Sequence, residues 1–304
     1  MKNVLDDPAP ARHTVSLDDG RQLAFAELGR RDGAPVIYFH GFPGSRLEAR
    51  LVEKEACRAG IRLVAIDRPG MGLSSPRTGR TIIDWPRDVV QVADSLKLAS
   101  FIAVGASGGA PYALACAAAI PERLDAVGII AGIAPVAGTG LAGQMLPVNR
   151  LGLVLARRAP LLLRMALGVF AFGVRRWPAR LLDRIASRLG PADRAVLQET
   201  EVRGLMSGSL CESFRAGSAG PAADLSLLGR PWGFDLEAIG VPVRLWHGRA
   251  DVVCPATMGE FLARRVRNCA ATYYDDEGHF SVVTRRAPEI FEALLALANR
   301  TRHP

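Results

Sequence analysis

Residues 105–109 read Gly-Ala-Ser-Gly-Gly. They lie between an apolar run, Phe101-Ile102-Ala103-Val104, and an alanine-rich stretch, residues 110–119, with Pro111 in its first turn. The run has the length and composition of a buried strand, and the stretch reads as a helix opened by proline. A chain that passes from strand to helix this abruptly, with serine between two glycines, is confined to folds built from strand, turn and helix units. The sharp elbow between them holds the serine hydroxyl out beyond the strand end. Both glycines have a steric task there. Strand and helix approach closely, so a side chain at Gly105 or Gly109 would collide with neighbouring backbone, while Ser107 is forced into unusual dihedrals. The helix also points its free N–H groups and positive dipole end toward the serine, where an oxyanion would be stabilised.

The rest of the chain repeats this alternation. Residues 13–17 and 21–28, joined by Asp18-Asp19-Gly20, read as a hairpin of antiparallel strands at a sheet edge, after a loose arm of about a dozen residues. Strands are expected at 35–39, 61–66, 101–104, 126–133, 241–246 and 271–274, and helices at 47–59, 83–98, 110–119, 257–266 and 288–299. Strand and helix in turn imply an α/β fold: a mostly parallel, eight-stranded sheet with helices on both faces. From 136 to 230 the alternation stops. That segment has helical period and is punctuated by Pro147, Pro160, Pro178, Pro191 and Pro221, which predicts several short helices inserted as a lid between two sheet strands. The expected organisation is therefore a core of residues 1–135 and 231–304 carrying a helical cap, 136–230.

Composition excludes several function classes. A chain of 304 residues, 49% apolar, can bury a large core. The first ten residues hold Asp6, Asp7 and two prolines, so no secretory leader is expected there. The longest apolar run, 161–174, is broken by Arg164 and is too short to span a bilayer. Five scattered cysteines without a Cys-x-x-Cys pair argue for reduced thiols in the cytoplasm and against a zinc site. The net charge of +8 comes almost wholly from arginine, only Lys2, Lys54 and Lys97 being lysine. The arginines between Arg150 and Arg194 alternate with leucine rather than with aromatics, so no nucleic-acid partner is expected.

A serine hydroxyl needs a general base within hydrogen-bond reach and a third group to orient that base. Of five histidines, His13 and His303 lie near chain ends expected to be loose. His40 and His247 each end a strand as His-Gly, where a ring braces a loop. His279 follows the last strand in a loop beside Gly278 and is the candidate base. Asp275, Asp276 and Glu277 are too close to it in sequence to reach the far ring nitrogen. Asp251 follows an apolar strand, so its carboxylate should face the sheet edge that carries Ser107, the edge where open α/β sheets bind ligands. A helix-capping role for Asp251 stays open.

The order Ser107, Asp251, His279 resembles that of the α/β-hydrolase superfamily, over nearly the whole chain outside the inserted helices. His40-Gly41-Phe42-Pro43-Gly44 resembles that family's oxyanion loop, and residues 67–74, Asp-Arg-Pro-Gly-Met-Gly-Leu-Ser, its turn after the fourth strand. The resemblance implies that the N–H groups of Phe42 and Gly108 bind an oxyanion, with His40, Gly41, Gly105 and Gly109 shaping the site. It also implies cleavage of an ester or related acyl bond of a small, apolar molecule. Serine at the nucleophile position excludes the aspartate-dependent epoxide hydrolases and haloalkane dehalogenases. Esterases, thioesterases, C–C bond hydrolases, proline iminopeptidases, cofactor-free haloperoxidases and non-catalytic receptors on the same fold remain. No cofactor is implied: residues 105–109 lack the Gly-Lys-Ser/Thr of a phosphate loop, and serine at 107 breaks Gly-x-Gly-x-x-Gly. The run 161–174 either lines an apolar pocket or packs on the body. Its neighbours Arg157, Arg158, Arg175, Arg176 and Arg180 are either solvated or poised to recruit an anion or touch a membrane surface.

Overall fold

The alternating N-terminal residues pair as expected, β1 (His13–Ser16) running antiparallel to β2 (Gln22–Gly29). The computed structural model describes residues 12–302, so His303 and all but Arg12 of the expected N-terminal arm lie outside the described residues. His13 opens β1 and stacks on Phe25 with ring centroids 5.2 Å apart, which corrects the expectation that it sits at a loose end.

Six further strands complete the sheet: β3 (Ala34–Phe39), β4 (Ile61–Ile66), β5 (Phe101–Ala106), β6 (Leu124–Ile130), β7 (Val243–Gly248) and β8 (Cys269–Tyr274). The spatial order is β1-β2-β4-β3-β5-β6-β7-β8, with β2 antiparallel to β4 and β3 to β8 all parallel. Crossover helices are α1 (Glu53–Arg58), α2 (Trp85–Ser95), α3 (Ala110–Ala119) and α10 (Ala256–Arg265), and the chain closes with α11 (His279–Arg285) and α12 (Ala287–Arg302). The period of two divides the strand residues between the faces. Ile37, Phe39, Val64 and Ala103 pack beneath Trp85 and Val89 of α2 and Leu114 of α3. Their neighbours Val36, Tyr38, Leu63 and Val104 pack beneath Ala56 of α1 and Phe291 and Leu294 of α12.

Some boundaries differ from expectation. The helix expected at 47–59 is a tight 3-10 turn, Arg46–Val52, followed by α1, and its start is tied down by Arg46 N–H donating to Asp67 at 2.7 Å. The strand expected to run to 133 ends at Ile130. Ala131 has φ +48° and the Ile133 N–H bonds the Ser107 carbonyl at 3.2 Å, so the chain leaves the sheet at the elbow.

Between β6 and β7 lie six helices: α4 (Pro147–Arg158), α5 (Pro160–Arg176), α6 (Pro178–Ala186), α7 (Pro191–Gln198), α8 (Thr200–Ser213) and α9 (Ala219–Leu228). Four begin with proline, whose missing N–H costs nothing in a first turn and whose φ suits the helix. Buried polar contacts tie this segment to the sheet. Ser45 N–H donates to Ser209 Oγ at 3.1 Å, Arg46 to Glu212 at 2.8 Å, and Arg68 and Arg80 to Asp224 at 2.9 and 2.8 Å.

Candidate active site

Parallel strands deliver their C-terminal ends to one edge, and three side chains meet there. Ser107 follows β5, Asp251 follows β7 and His279 follows β8. Ser107 has φ +52°, a left-handed conformation costly for any residue with a Cβ. The two elbow glycines explain how it is enforced: a Cβ at Gly105 would sit 2.5 Å from the Gly109 carbonyl oxygen, and one at Gly109 would overlap the carbonyl of Phe39. Strand β5, helix α3 and the loop after β3 are thus in backbone contact, and the serine is carried at their junction.

His279 Nε2 lies 2.9 Å from Ser107 Oγ, and His279 Nδ1 lies 2.7 Å from Asp251 Oδ2. The carboxylate sets the tautomer: Nδ1–H donates to Asp251, leaving Nε2 to accept the serine proton. Asp251 does not cap α10, whose N-cap is Pro255 with no side-chain bond; it divides its oxygens between the loop before that helix and the imidazole. Oδ1 accepts the N–H groups of Val253 and Cys254 at 2.8 and 2.9 Å, while Oδ2 faces the imidazole. Burial pushes the Asp251 carboxyl up, but the His279 charge and hydrogen bonds from His247 and His279 outweigh it and hold the group at about 2. Burial pulls His279 down, and the adjacent Asp251, with Asp193 and Glu48 further off, carries it above 6.5 overall.

His40 and His247 are braces. His40 is buried, its Nδ1–H donates to the Gly41 carbonyl at 2.8 Å, and burial together with Arg68 holds the ring neutral. His247 Nε2–H donates to the Cys254 carbonyl at 2.7 Å. Asp275 and Asp276 pair with Arg249 and Arg286, and Glu277 with Arg286, away from the imidazole.

Phe42 and Gly41 lie beside the elbow. A Cβ at Gly108 would stand 3.2 Å from the Phe42 nitrogen, and one at Gly41 would stand 3.3 Å from Ser107 Cβ. The loop they occupy is held from behind by two charged groups. Arg68 donates to the carbonyls of His40 and Gly41, and Glu48 accepts the Gly41 N–H at 2.8 Å and the Tyr38 hydroxyl at 2.9 Å.

Three neighbours left no mark in the sequence. Cys254 Sγ is 4.0 Å from Ser107 Oγ, with its thiol pushed up by burial and so protonated. Glu48 follows an unremarkable arginine-leucine pair. Asp193, from α7, is fully buried and accepts the N–H groups of His279, Phe280 and Ser281 at 2.8, 2.8 and 2.9 Å. A carboxylate from the inserted helices therefore caps the helix on which the imidazole stands, satisfying N–H groups that helix α11 cannot satisfy itself. Two apolar groups stand beside the relay: Leu228 of α9 is 3.3 Å from a Cβ at Gly108, and Phe280 packs edge-on against His279 at 5.2 Å.

Residues 34–285 match the family model described as the alpha/beta hydrolase fold. The chain belongs to that family. Among curated proteins it is 27% identical over 286 residues to a non-heme chloroperoxidase of Streptomyces lividans, covering 91% of this chain and 95% of the relative. It is 32% identical over 118 residues to a proline iminopeptidase of Neisseria gonorrhoeae, a match covering 36% of each protein. Among solved structures a thermophilic esterase from Thermogutta terrifontis superposes with a TM-score of 0.68 at 22% identity, covering 95% of this chain and 98% of the esterase, a likeness of fold.

Proposed function

We propose that this alpha/beta hydrolase cleaves a carboxylic ester of a small, apolar molecule through an acyl-enzyme. The observation that carries the reading is the unbroken relay from Ser107 Oγ through His279 to Asp251, at 2.9 and 2.7 Å. Ser107 Oγ attacks the carbonyl carbon while His279 Nε2 takes its proton, and Asp251 stabilises the imidazolium that forms. The N–H groups of Phe42 and Gly108 receive the oxyanion. The imidazolium then protonates the departing alkoxide, and a water activated by the same nitrogen releases the acid and restores the serine.

An apolar substrate fits the surroundings. Leu228 and Phe42 stand beside Gly108 and Phe280 beside His279, and Glu48, behind the proposed oxyanion loop, would repel an anionic substrate. Residues 136–230 act in this reading as a cap on a core of 1–135 and 231–304, since they contribute both Leu228 and the Asp193 carboxylate that seats α11.

Ser107→Ala should lower kcat/KM for p-nitrophenyl butyrate by about ten-thousandfold or more without unfolding. A fluorophosphonate probe should label the parent protein at Ser107 alone. Full activity in Ser107→Ala rules this mechanism out. A folded parent that neither turns over esters nor takes the label points instead to a receptor on the hydrolase fold. The chloroperoxidase matched over nearly its whole length favours one second reading, in which hydrogen peroxide replaces water at the acyl-enzyme. That step yields a peracid, which oxidises halide to hypohalous acid and becomes the carboxylic acid. Halogenation that needs peroxide, a carboxylic acid and Ser107 together would establish it.

A further inference from the structure

All nine large apolar side chains exposed among the described residues lie between Val148 and Trp177. They belong to α4, α5 and the residue after α5. On α5 they form one stripe at helical spacing, Leu161, Met165, Val169 and Phe172, each more than 60% exposed. The run 161–174 therefore does not pack as a whole on the body, nor does this stripe line a closed pocket. The opposite sides of α4 and α5 are satisfied: Ala156 and Leu163 bury against Ala222 of α9, and Ala171 and Val174 pack with Leu210 of α8 and Phe214 just after it. The outward stripes thus lie on the far side of both helices from α9.

The charge on this face is of one sign. Between residues 126 and 182 the sequence holds seven arginines and neither aspartate nor glutamate. All seven are exposed, Arg157 and Arg158 ending α4, Arg175 and Arg176 ending α5, and Arg176 lies over the Trp177 ring at 5.4 Å. A second copy of the chain is a poor occupant, because face-to-face contact would set arginines against arginines with no carboxylate between them. A bilayer surface carrying anionic headgroups fits both properties: the stripe enters the acyl boundary, and the arginines and Trp177 meet the headgroups. Helix α5, at 17 residues about 25 Å long and interrupted by Arg164, is too short to cross and suited to lying in the plane.

We propose that the outer face of α4 and α5 docks this protein on anionic membrane surfaces. The proposal is independent of the reaction at Ser107. Its test is sedimentation of the full chain with vesicles of phosphatidylcholine alone or mixed with phosphatidylglycerol. The parent protein should partition onto the anionic vesicles and be released by salt, since exposed charges are screened. The triple variant Leu161→Ser, Val169→Ser, Phe172→Ser should partition about tenfold more weakly or worse. The triple variant Arg157→Gln, Arg158→Gln, Arg164→Gln should lose roughly 100-fold on anionic vesicles and little on neutral ones. Far-UV circular dichroism and the thermal unfolding midpoint should be close to the parent's in both, which shows that they fold. A parent protein that stays in solution with anionic vesicles, or variants that partition as it does, overturns the proposal. So does a dimer in sedimentation velocity that the Leu161, Val169, Phe172 variant dissociates, because that result assigns the face to a second copy.

Discussion

At the residue scale, the proton on His279 decides what Ser107 can do in the proposed reaction. The neighbouring carboxylates hold the imidazole above 6.5 against the pull of burial, so the ring is protonated, and unable to accept the serine proton, over a wider acidic range than a free histidine. The acid limb of kcat/KM against pH should therefore have its midpoint above 6.5, with activity falling about tenfold per unit below it. Asp193 contributes both to that charge balance and to the seating of α11. Asp193→Asn removes the charge and offers a poorer acceptor to three buried N–H groups, so it should cost about 1–3 kcal/mol in denaturant unfolding. It should also move the acid limb to lower pH, a shift that a purely structural role would not produce. Ser107, Asp251 and His279 could be picked out of the sequence because each stands at a strand end beside a turn residue. Asp193 could not: its partners are some 86 residues away, and its own surroundings, Gly-Pro-Ala-Asp, are those of any helix start.

At the scale of single elements, space rather than dihedral preference governs the elbow's second glycine. Gly109 has φ −80°, which any residue adopts, yet a Cβ there would overlap the Phe39 carbonyl. Gly109→Ala should therefore destabilise by about 3 kcal/mol or more and remove activity. Gly173→Ala in α5, where a Cβ meets nothing, should instead gain about 0.5–1 kcal/mol. Equal effects in thermal unfolding would show that the close approach at the elbow is not what position 109 obeys. The eight strands and the crossover helices were legible because a two-faced sheet imposes its period on every strand. Helix α11 was not, since residues 275–281, Asp-Asp-Glu-Gly-His-Phe-Ser, carry turn residues and the cap that lets a helix begin there comes from α7. The ends of β6 and of the helix expected at 47–59 were misplaced for a similar reason: contacts to Ser107 and Asp67, distant in sequence, end or tighten them.

At the scale of the whole molecule, the inserted helices and the sheet are joined by a buried charge cluster. Asp224 of α9 accepts from Arg68 at 2.9 Å, Arg80 at 2.8 Å and the Tyr112 hydroxyl at 2.6 Å. Burial opposes its charge, but the two guanidinium groups hold its carboxyl far below the ordinary range. Arg68 also grips the carbonyls of His40 and Gly41, so the cluster connects α9 to the loop behind the proposed oxyanion site. Asp224→Ala leaves two buried cations without a counter-charge, and the expected cost is about 3–5 kcal/mol. The slackened Arg68 should also lower kcat/KM at least about tenfold, because misplacing a proposed oxyanion donor removes stabilisation felt only in the transition state. A second ion pair, Lys54 to Glu201 at 2.7 Å, joins the same two parts of the molecule but is well exposed on both sides. Water already solvates both of its groups, so Lys54→Ala should change stability by less than about 1 kcal/mol and leave catalysis alone. Measured side by side in urea, the two variants separate burial from mere bridging. Similar small losses for both would mean that Arg68 and Arg80 find water when Asp224 is gone.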